Sequence, residues 1–224
     1  MQKVSFYYIE NSTELKVVGN YPQIIDYEER KKINSNSISN DEFAKYKGRN
    51  CDFTPNLDTY ILHSKAKLTD YVSCALCPGG DMLISKKFSS LINKHKFAGI
   101  QVFNSSVKQL SEAPITFDLI HFNYCLEDKI NFLLTEYNYN IYPELKNGSI
   151  KDYPEYLNFR KIIDKRGMLR ATKLVLNSDF DTTLDFFVLS WLDQRIYISE
   201  KLKNSLAESK ITGVEIKQNY LFVE

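Results

Sequence analysis

The apolar and polar residues of the chain alternate over short stretches, which predicts short strands and helices. Residues 3–9, 57–63 and 169–176 are rich in β-branched and aromatic side chains and are typical of strands. An apolar run over residues 184–189 predicts a buried strand, and residues 15–18 are expected to form another. Short strands in this arrangement favour an α+β fold over a regular α/β alternation.

Polar and turn-forming residues divide these strands from short helical stretches. Residues 34–40 read NSNSISN and predict a loop, and residues 41–47 and 65–71 are expected to form short helices. Residues 149–154 follow an Asn-Gly pair, which indicates the connection between two halves of the chain.

Two segments of the chain resemble each other at a fixed offset of 114 residues, without a gap. Residues 83–103 read LISKKFSSLINKHKFAGIQVF, and residues 197–217 read YISEKLKNSLAESKITGVEIK. The identical pairs are Ile84 and Ile198, Ser85 and Ser199, Lys87 and Lys201, Lys96 and Lys210, and Gly99 and Gly213. The alternative is a chance similarity between two ordinary capped helices.

Each of these segments carries the signals of a strand, a capped helix, a glycine turn and a second strand. Ser85 and Ser199 are placed to accept an unpaired amide of the first helical turn. Gly99 and Gly213 stand where the chain leaves the helix and needs a permissive backbone. We therefore predict an α+β fold with two lobes that share this strand–helix–glycine turn–strand motif, with mostly antiparallel sheets.

The segments on either side of the motif suggest how the chain is divided. Residues 1–80 are expected to form a β-rich N-terminal segment, residues 81–148 a first lobe, and residues 149–224 a second lobe, all within one compact unit.

Composition excludes several functional classes. The 29 Lys and Arg residues nearly balance the 28 Asp and Glu residues, so a nucleic-acid partner is not expected. Only 8 of the 224 residues are Gly, which disfavours glycine-rich phosphate loops. No stretch is apolar enough for a signal peptide or a membrane span, so we expect a cytoplasmic protein with no membrane partner.

Residues with catalytic or metal-binding chemistry are few and scattered. Cys74 and Cys77 form a lone C-x-x-C followed at once by Pro78, so buried structural thiols are favoured over a redox or zinc site. The alternation around His121 predicts a histidine at the edge of the core, bonded to backbone, and His95 is expected to be solvated. We expect no catalytic residues, no cofactor and no metal.

Tyrosines and carboxylates are the candidates for a contact surface, because Tyr is enriched in protein interfaces. Core packing of the tyrosines, and turn or helix-capping roles for the carboxylates, remain open as alternatives. The candidate partner-binding residues are Tyr137, Tyr139, Tyr142, Tyr153, Tyr156, Glu127, Asp128, Asp179 and Asp181.

The same segments resemble a bacterial polymorphic-toxin immunity protein family. Residues 197–216, which contain Thr212-Gly213-Val214, are similar to its C-terminal signature of a strand, a Ser-capped helix and a Thr-Gly-Val turn. Residues 83–103 resemble its first helix, and residues 114–131 resemble its central strand and acidic turn. The resemblance spans about residues 80–217 and implies a cytoplasmic binder, encoded beside a toxin, that blocks this toxin without catalytic residues.

Two other functional classes stay open on the sequence. One is an enzyme in which Cys74, His121 and the acidic pairs assemble in a cleft. The other is a scaffold or regulatory module of a different complex.

Overall fold

The computed structural model describes residues 1–28, 38–46, 48–77, 81–110, 112–123, 126–138, 150–163, 170–189 and 192–224. Its fold is α+β with mostly antiparallel strands, which confirms the predicted fold class. The strands in these residues are β1 (Gln2–Asn11), β2 (Ile24–Glu28), β3 (Thr59–Leu62), β4 (Tyr71–Val72), β5 (Met82–Ser85), β6 (Phe97–Ala98), β7 (Ile100–Gln109), β8 (Ile115–Phe122), β9 (Glu136–Asn138), β10 (Arg170–Lys173), β11 (Val175–Leu176), β12 (Phe186–Phe187), β13 (Ile196–Ile198) and β14 (Val214–Val223). The helices are α1 (Leu15–Val18), α2 (Asn40–Phe43), α3 (Lys86–Ile92), α4 (Tyr153–Ile163) and α5 (Glu200–Glu208), with 3₁₀ turns at Ala44–Tyr46 and Glu127–Lys129.

Most strands belong to one of two mixed sheets. The first sheet has the order β2-β3-β7-β8-β5-β4, and the second sheet has the order β11-β14-β1-β13-β12-β6. Strands β9 and β10 form a separate antiparallel ribbon.

The two sheets share one pattern of strand pairing. Strand β7 pairs with β3 in parallel and with β8 in antiparallel orientation, and β14 pairs in the same ways with β11 and β1. The register is also the same. Ile61 lies opposite Lys108 in the first sheet, and Val175 lies opposite Phe222 in the second sheet. Both residues of the second pair come 114 residues after their counterparts in the first. Strand β1, near the beginning of the numbering, therefore fills the place in the second sheet that β8 fills in the first.

This arrangement does not follow the division predicted at residues 80 and 148. Residues 1–80 do not form a unit of their own, since β1 belongs to the second sheet and β2, β3 and β4 belong to the first. The physical reason is burial: Phe6 and Ile9 of β1 are each 2% exposed, and they lie in two different apolar clusters on the two faces of the second sheet.

Helices α3 and α5 begin as the sequence predicts. The Ser85 hydroxyl accepts a hydrogen bond from the Phe88 amide at 3.2 Å, and the Ser199 hydroxyl accepts one from the Leu202 amide at 3.1 Å. The buried side chains of both helices meet residues of both sheets in one apolar cluster. The two helices therefore form a layer that the sheets share.

Gly99 and Gly213 follow these helices with φ angles of 75° and 79°. This left-handed backbone is open to glycine at little cost, which is why the chain can turn from each helix into the next strand.

Two predicted elements differ from the structure. Residues 15–18 form helix α1 instead of a strand, with Val18 as the one buried side chain. Residues 65–71 form no helix, because their backbone groups bond to distant segments: the Lys67 amide donates to the Val18 carbonyl, and the Gln23 side chain donates to the Lys67 carbonyl.

Candidate functional site

A groove of about 530 Å³ opens beside β1 and the start of β13. Strand β1 contributes Tyr8, the segment before β13 contributes Asp193 and Arg195, and Tyr21 and Ala171 line it from other segments. Tyr8 is two residues after the buried Phe6, so strand alternation places both on one face of the second sheet.

A hydrogen-bonded network fixes one side of this groove. The Tyr197 hydroxyl donates to Asp193 Oδ2 at 2.6 Å and accepts from Asn219 Nδ2 at 3.1 Å. Burial, together with the Asp193 charge, holds the pKa of Tyr197 well above its usual range, so the phenol keeps its proton. The network leaves Asp193 buried with well-defined bonding partners.

Arg195 is held by the same carboxylate. Its backbone amide donates to Asp193 Oδ1 at 3.1 Å, and its Nη1 donates to Asp193 Oδ2 at 3.4 Å. Burial by itself would lower the pKa of Arg195, but Asp193 raises it, so the guanidinium stays charged. The Arg195 side chain lines the groove and is 45% exposed, so donors that Asp193 does not use remain accessible to a ligand.

An aromatic ring supports the guanidinium from the side of β1. The Arg195 guanidinium lies 5.3 Å from the centre of the Tyr8 ring, within the range of a cation–π contact. Lys217 reaches the same ring at 6.0 Å and also pairs with Glu10. The arrangement presents a planar, pre-oriented cation that can bind a carboxylate or a carbonyl group of a ligand.

The predicted tyrosine surface lies largely in the interior. Tyr137 is 8% exposed and donates to the Phe132 carbonyl at 3.1 Å, and Tyr156 is 2% exposed. Tyr153 and Tyr156 stack on Phe132 with ring centres 6.1 and 4.9 Å away. These contacts agree with the core-packing alternative, because the rings fill space between α4 and the second sheet. Tyr139 and Tyr142 lie outside the described residues.

The predicted acidic residues do not form a single rim. Glu127 is buried and accepts two bonds from Arg160 Nη1, at 3.1 and 3.2 Å. The prediction that Glu127 lies on a contact surface is therefore wrong. Asp128 and Asp179 are exposed and converge on Lys129, at 3.3 and 2.8 Å. Asp181 pairs with Lys96. The bond from Lys96 makes the largest contribution to lowering the pKa of the Asp181 carboxyl to about 2.

The histidines are bonded to protein groups. His121 lies at the edge of the core as predicted, with Nδ1 2.8 Å from Asp81 Oδ2 and Nε2 2.9 Å from the Arg49 carbonyl. His95 is not solvated: its side chain is 5% exposed, and Nδ1 lies 3.2 Å from Asp185 Oδ2. Neither ring nitrogen of His121 is therefore open to serve a Cys74–His121 site.

The described cysteines, Cys51, Cys74 and Cys77, are free thiols. Cys51 and Cys77 are buried, as expected for structural thiols, and Cys125 lies outside the described residues. Burial, with a smaller contribution from Asp81, raises the pKa of Cys51 to about 11, so this thiol stays protonated at neutral pH. Among the residues whose positions are described, no three His, Cys, Asp or Glu side chains gather as a metal site would require.

Sequence reasoning missed the residues of the groove. Asp193, Arg195 and Tyr197 are spaced at i, i+2 and i+4, which places them on one face of an extended segment. That spacing is the signal that could have identified them. Their partners Tyr8 and Asn219 come from the two ends of the chain, and no local pattern joins them.

In the part of the chain that the structure describes, no helix has both the length and the hydropathy needed to cross a membrane. No model of a known protein family and no curated protein matches this chain.

Proposed function

We propose that the protein is a cytoplasmic immunity protein that binds a cognate antibacterial toxin and neutralises it in the cell that makes both. The observation that carries the proposal is Arg195 in the groove, held by Asp193 and supported by the ring of Tyr8. The resemblance of residues 80–217 to an immunity protein family supports it independently.

The chemistry of the groove suits recognition of a protein. Arg and Tyr are over-represented among the few residues that dominate binding energy in protein interfaces. The guanidinium of Arg195 is already ordered by Asp193 and Tyr8, so it loses little side-chain freedom when a partner binds. A toxin loop that places a carboxylate or a carbonyl against Arg195 would satisfy its exposed donors.

The segment that carries the resemblance also supports the proposal. Residues 196–223 form a strand, a helix capped by Ser199, a turn at Gly213 and a final strand, in the order that the resemblance implies. This segment builds the second sheet, and the second sheet carries the groove.

Co-expression with the product of the adjacent gene tests the proposal. We expect the wild-type protein to restore growth and to form a complex that can be purified. Arg195→Ala should raise the Kd by about 30-fold or more, the effect of losing an interface hot spot of at least about 2 kcal/mol. Lys94→Ala, which removes an exposed cation elsewhere, should leave the Kd unchanged within about threefold.

Each outcome separates the hypotheses. A neighbouring product that stays toxic and does not bind contradicts the immunity function. Binding with equal affinity for the wild type and Arg195→Ala contradicts only the assignment of the groove. A stable complex with a partner that has no toxicity would favour the scaffold hypothesis.

A further inference from the structure

The cation–π contacts of the described residues concentrate on β1 and β14. Each of them places a Lys or Arg over a ring of Tyr7, Tyr8, Tyr220 or Phe222. Because consecutive residues of a strand point to opposite faces, Tyr7 lies on the face opposite Tyr8 and the groove.

Three lysines lie over the rings of this face. Lys3 lies 3.6 Å from the centre of the Tyr220 ring, Lys203 lies 4.0 Å from that of Tyr7, and Lys173 lies 5.3 Å from that of Phe222. The register explains why these rings line up: Lys3 is opposite Phe222, Ser5 is opposite Tyr220 and Tyr7 is opposite Gln218, and residues opposite each other share a face. We call the set Lys3, Lys173, Lys203, Tyr7, Tyr220 and Phe222 the lysine–aromatic face.

Helix α5 covers only one end of this face. It packs near Ile9, where Leu202 and Leu206 join the same apolar cluster. Ile216, directly opposite Ile9, is still 37% exposed, and Tyr220, farther along the strands, is 42% exposed. An aromatic and aliphatic sheet surface of this kind, with cations on it, remains accessible to a partner.

The charges on the lysine–aromatic face point to the chemistry of that partner. Lys203 and Lys173 each have one carboxylate neighbour, Glu200 at 3.4 Å and Glu136 at 3.2 Å, and both carboxylates are well exposed. In the described part of the chain, Lys3 forms no ion pair. An ammonium group has three donors, so each lysine can bind a further carboxylate while it stays on its ring.

We infer that the lysine–aromatic face binds an extended acidic segment of a partner protein. From Tyr7 to Lys3 the face runs four residues, about 13 Å at 3.3 Å per residue, so it matches a segment of about five residues. Carboxylates of the segment pair with the three lysines, and an apolar side chain between them contacts the exposed Tyr220 ring. The inference concerns a different face from the groove and does not depend on the proposed function.

The geometry favours an acidic peptide over a single-stranded nucleic acid. Nucleic acids bind such sheets by stacking bases on exposed ring faces, and here ammonium groups occupy those positions. The formal net charge of +1 also provides little of the long-range attraction that nucleic-acid binding relies on.

Fluorescence anisotropy with a labelled ten-residue peptide, made of nine Glu residues and one Leu in the middle part, tests the inference. We expect the wild type to bind it, and the affinity to fall as NaCl rises from 50 to 300 mM, because exposed ion pairs are screened. The triple variant Lys3→Ala, Lys173→Ala, Lys203→Ala should bind about tenfold more weakly. The control triple Lys65→Ala, Lys94→Ala, Lys161→Ala makes the same change in net charge at exposed sites elsewhere and should match the wild type.

Three results would overturn the inference: no binding of the peptide by the wild type, equal losses in the two triple variants, or tighter binding of a ten-nucleotide oligothymidine than of the peptide. Urea unfolding of both triple variants verifies that each is folded before binding is compared.

Discussion

Asp70 and Thr212 lie 142 residues apart and exchange three hydrogen bonds. The Thr212 amide and hydroxyl both donate to Asp70 Oδ2 at 2.9 Å, and the Asp70 amide donates to the Thr212 hydroxyl at 3.0 Å. The other carboxylate oxygen of Asp70 accepts from the Ser85 hydroxyl at 2.6 Å. Asp70 therefore joins the start of helix α3 to the turn that follows helix α5.

Asp185 makes the reciprocal connection. Its Oδ1 accepts from the Ser199 hydroxyl at 2.6 Å, at the start of α5, and its Oδ2 accepts from the Lys96 amide at 3.1 Å, after the end of α3. Each aspartate therefore connects the N-terminus of one helix to the turn that follows the C-terminus of the other helix. Ser199 and Thr212 lie in the second copy of the repeated motif, and the two aspartates connect them to Lys96 and Ser85 of the first copy.

We expect Asp70→Ala to lower the free energy of unfolding by about 1–3 kcal/mol, because it leaves the partly buried partners of a charged hydrogen-bond acceptor unsatisfied. In a double-mutant cycle with Thr212→Val, the two losses should not add in full, since both variants remove the bond from the Thr212 hydroxyl to Asp70. Urea unfolding measures each value. Asp52→Ala, at an exposed carboxylate, serves as the control and should change stability by less than about 0.5 kcal/mol. Additive losses would contradict the coupling.

Gly99 and Gly213, which both have a positive φ, should tolerate alanine differently. A Cβ at Gly213 would lie 2.3 Å from the Tyr71 carbonyl and 2.6 Å from Thr69 Oγ1, whereas at Gly99 the nearest atoms are 3.6 Å away. Gly99→Ala should therefore cost about 1–2 kcal/mol from its backbone conformation alone. Gly213→Ala should cost more, because the backbone around Tyr71 must also move. Thermal unfolding checks the order, and equal midpoints for the two variants would show that the Gly213 site relaxes freely.

Acid should weaken the connection between the halves. Burial by itself would raise the pKa of Asp70, but the bonds from Ser85 and Thr212 lower it below 3.8, and Ser199 and the Lys96 amide do the same for Asp185. A carboxyl whose folded pKa is depressed contributes stability above its unfolded pKa and loses it as pH falls through the folded pKa. We expect the free energy of unfolding to drop below about pH 4, and less steeply in Asp70→Asn, Asp185→Asn than in the wild type. Urea unfolding between pH 7 and pH 3 measures the slope of the free energy of unfolding against pH for both proteins. Equal slopes for the wild type and the variant would show that these aspartates do not cause the loss of stability in acid.

Tyr156 should matter to stability and not to partner contact. It is 2% exposed within an apolar cluster, so Tyr156→Ala should cost about 3–5 kcal/mol. Tyr156→Phe keeps the ring and removes a hydroxyl 3.5 Å from Glu127 Oε1, so it should cost about 1 kcal/mol. Affinity for the toxin partner should be unchanged in Tyr156→Phe. A loss of affinity in this folded variant would instead support Tyr156 as a residue that contacts the partner.

Local signals allowed much of the fold to be predicted. The caps at Ser85 and Ser199 and the turns at Gly99 and Gly213 depend on bonds within a few residues, and the structure confirms them. Residues 65–71 were predicted wrongly because their backbone bonds are made to residues 18 and 23 and to the turn at Thr212. No periodicity within a single window carries that information.

The candidate site was less predictable for the same reason. Tyr8 and Arg195 are far apart in the chain, and only the pairing of β1 with β13 brings them together. The tyrosines near residue 150 occur in polar local sequence, and Tyr156 is nevertheless buried by α4 packing on distant strands. The sequence around His95 is polar, yet its side chain is buried and contacts Asp185, which is 90 residues away along the chain.

The position of β1 has a consequence for biosynthesis. All strands of the first sheet lie within residues 24–122, so this sheet can close while the ribosome is still translating. Strand β1 must wait for β13 and for β14, and β14 ends about 100 residues after Phe122, the last residue of the first sheet. At 5–20 residues per second, the second sheet is completed roughly 5–20 seconds after the first. During that interval Phe6 lacks the other buried members of its apolar cluster, which all lie at residue 130 or later, so the nascent chain exposes an apolar side chain that chaperones can hold.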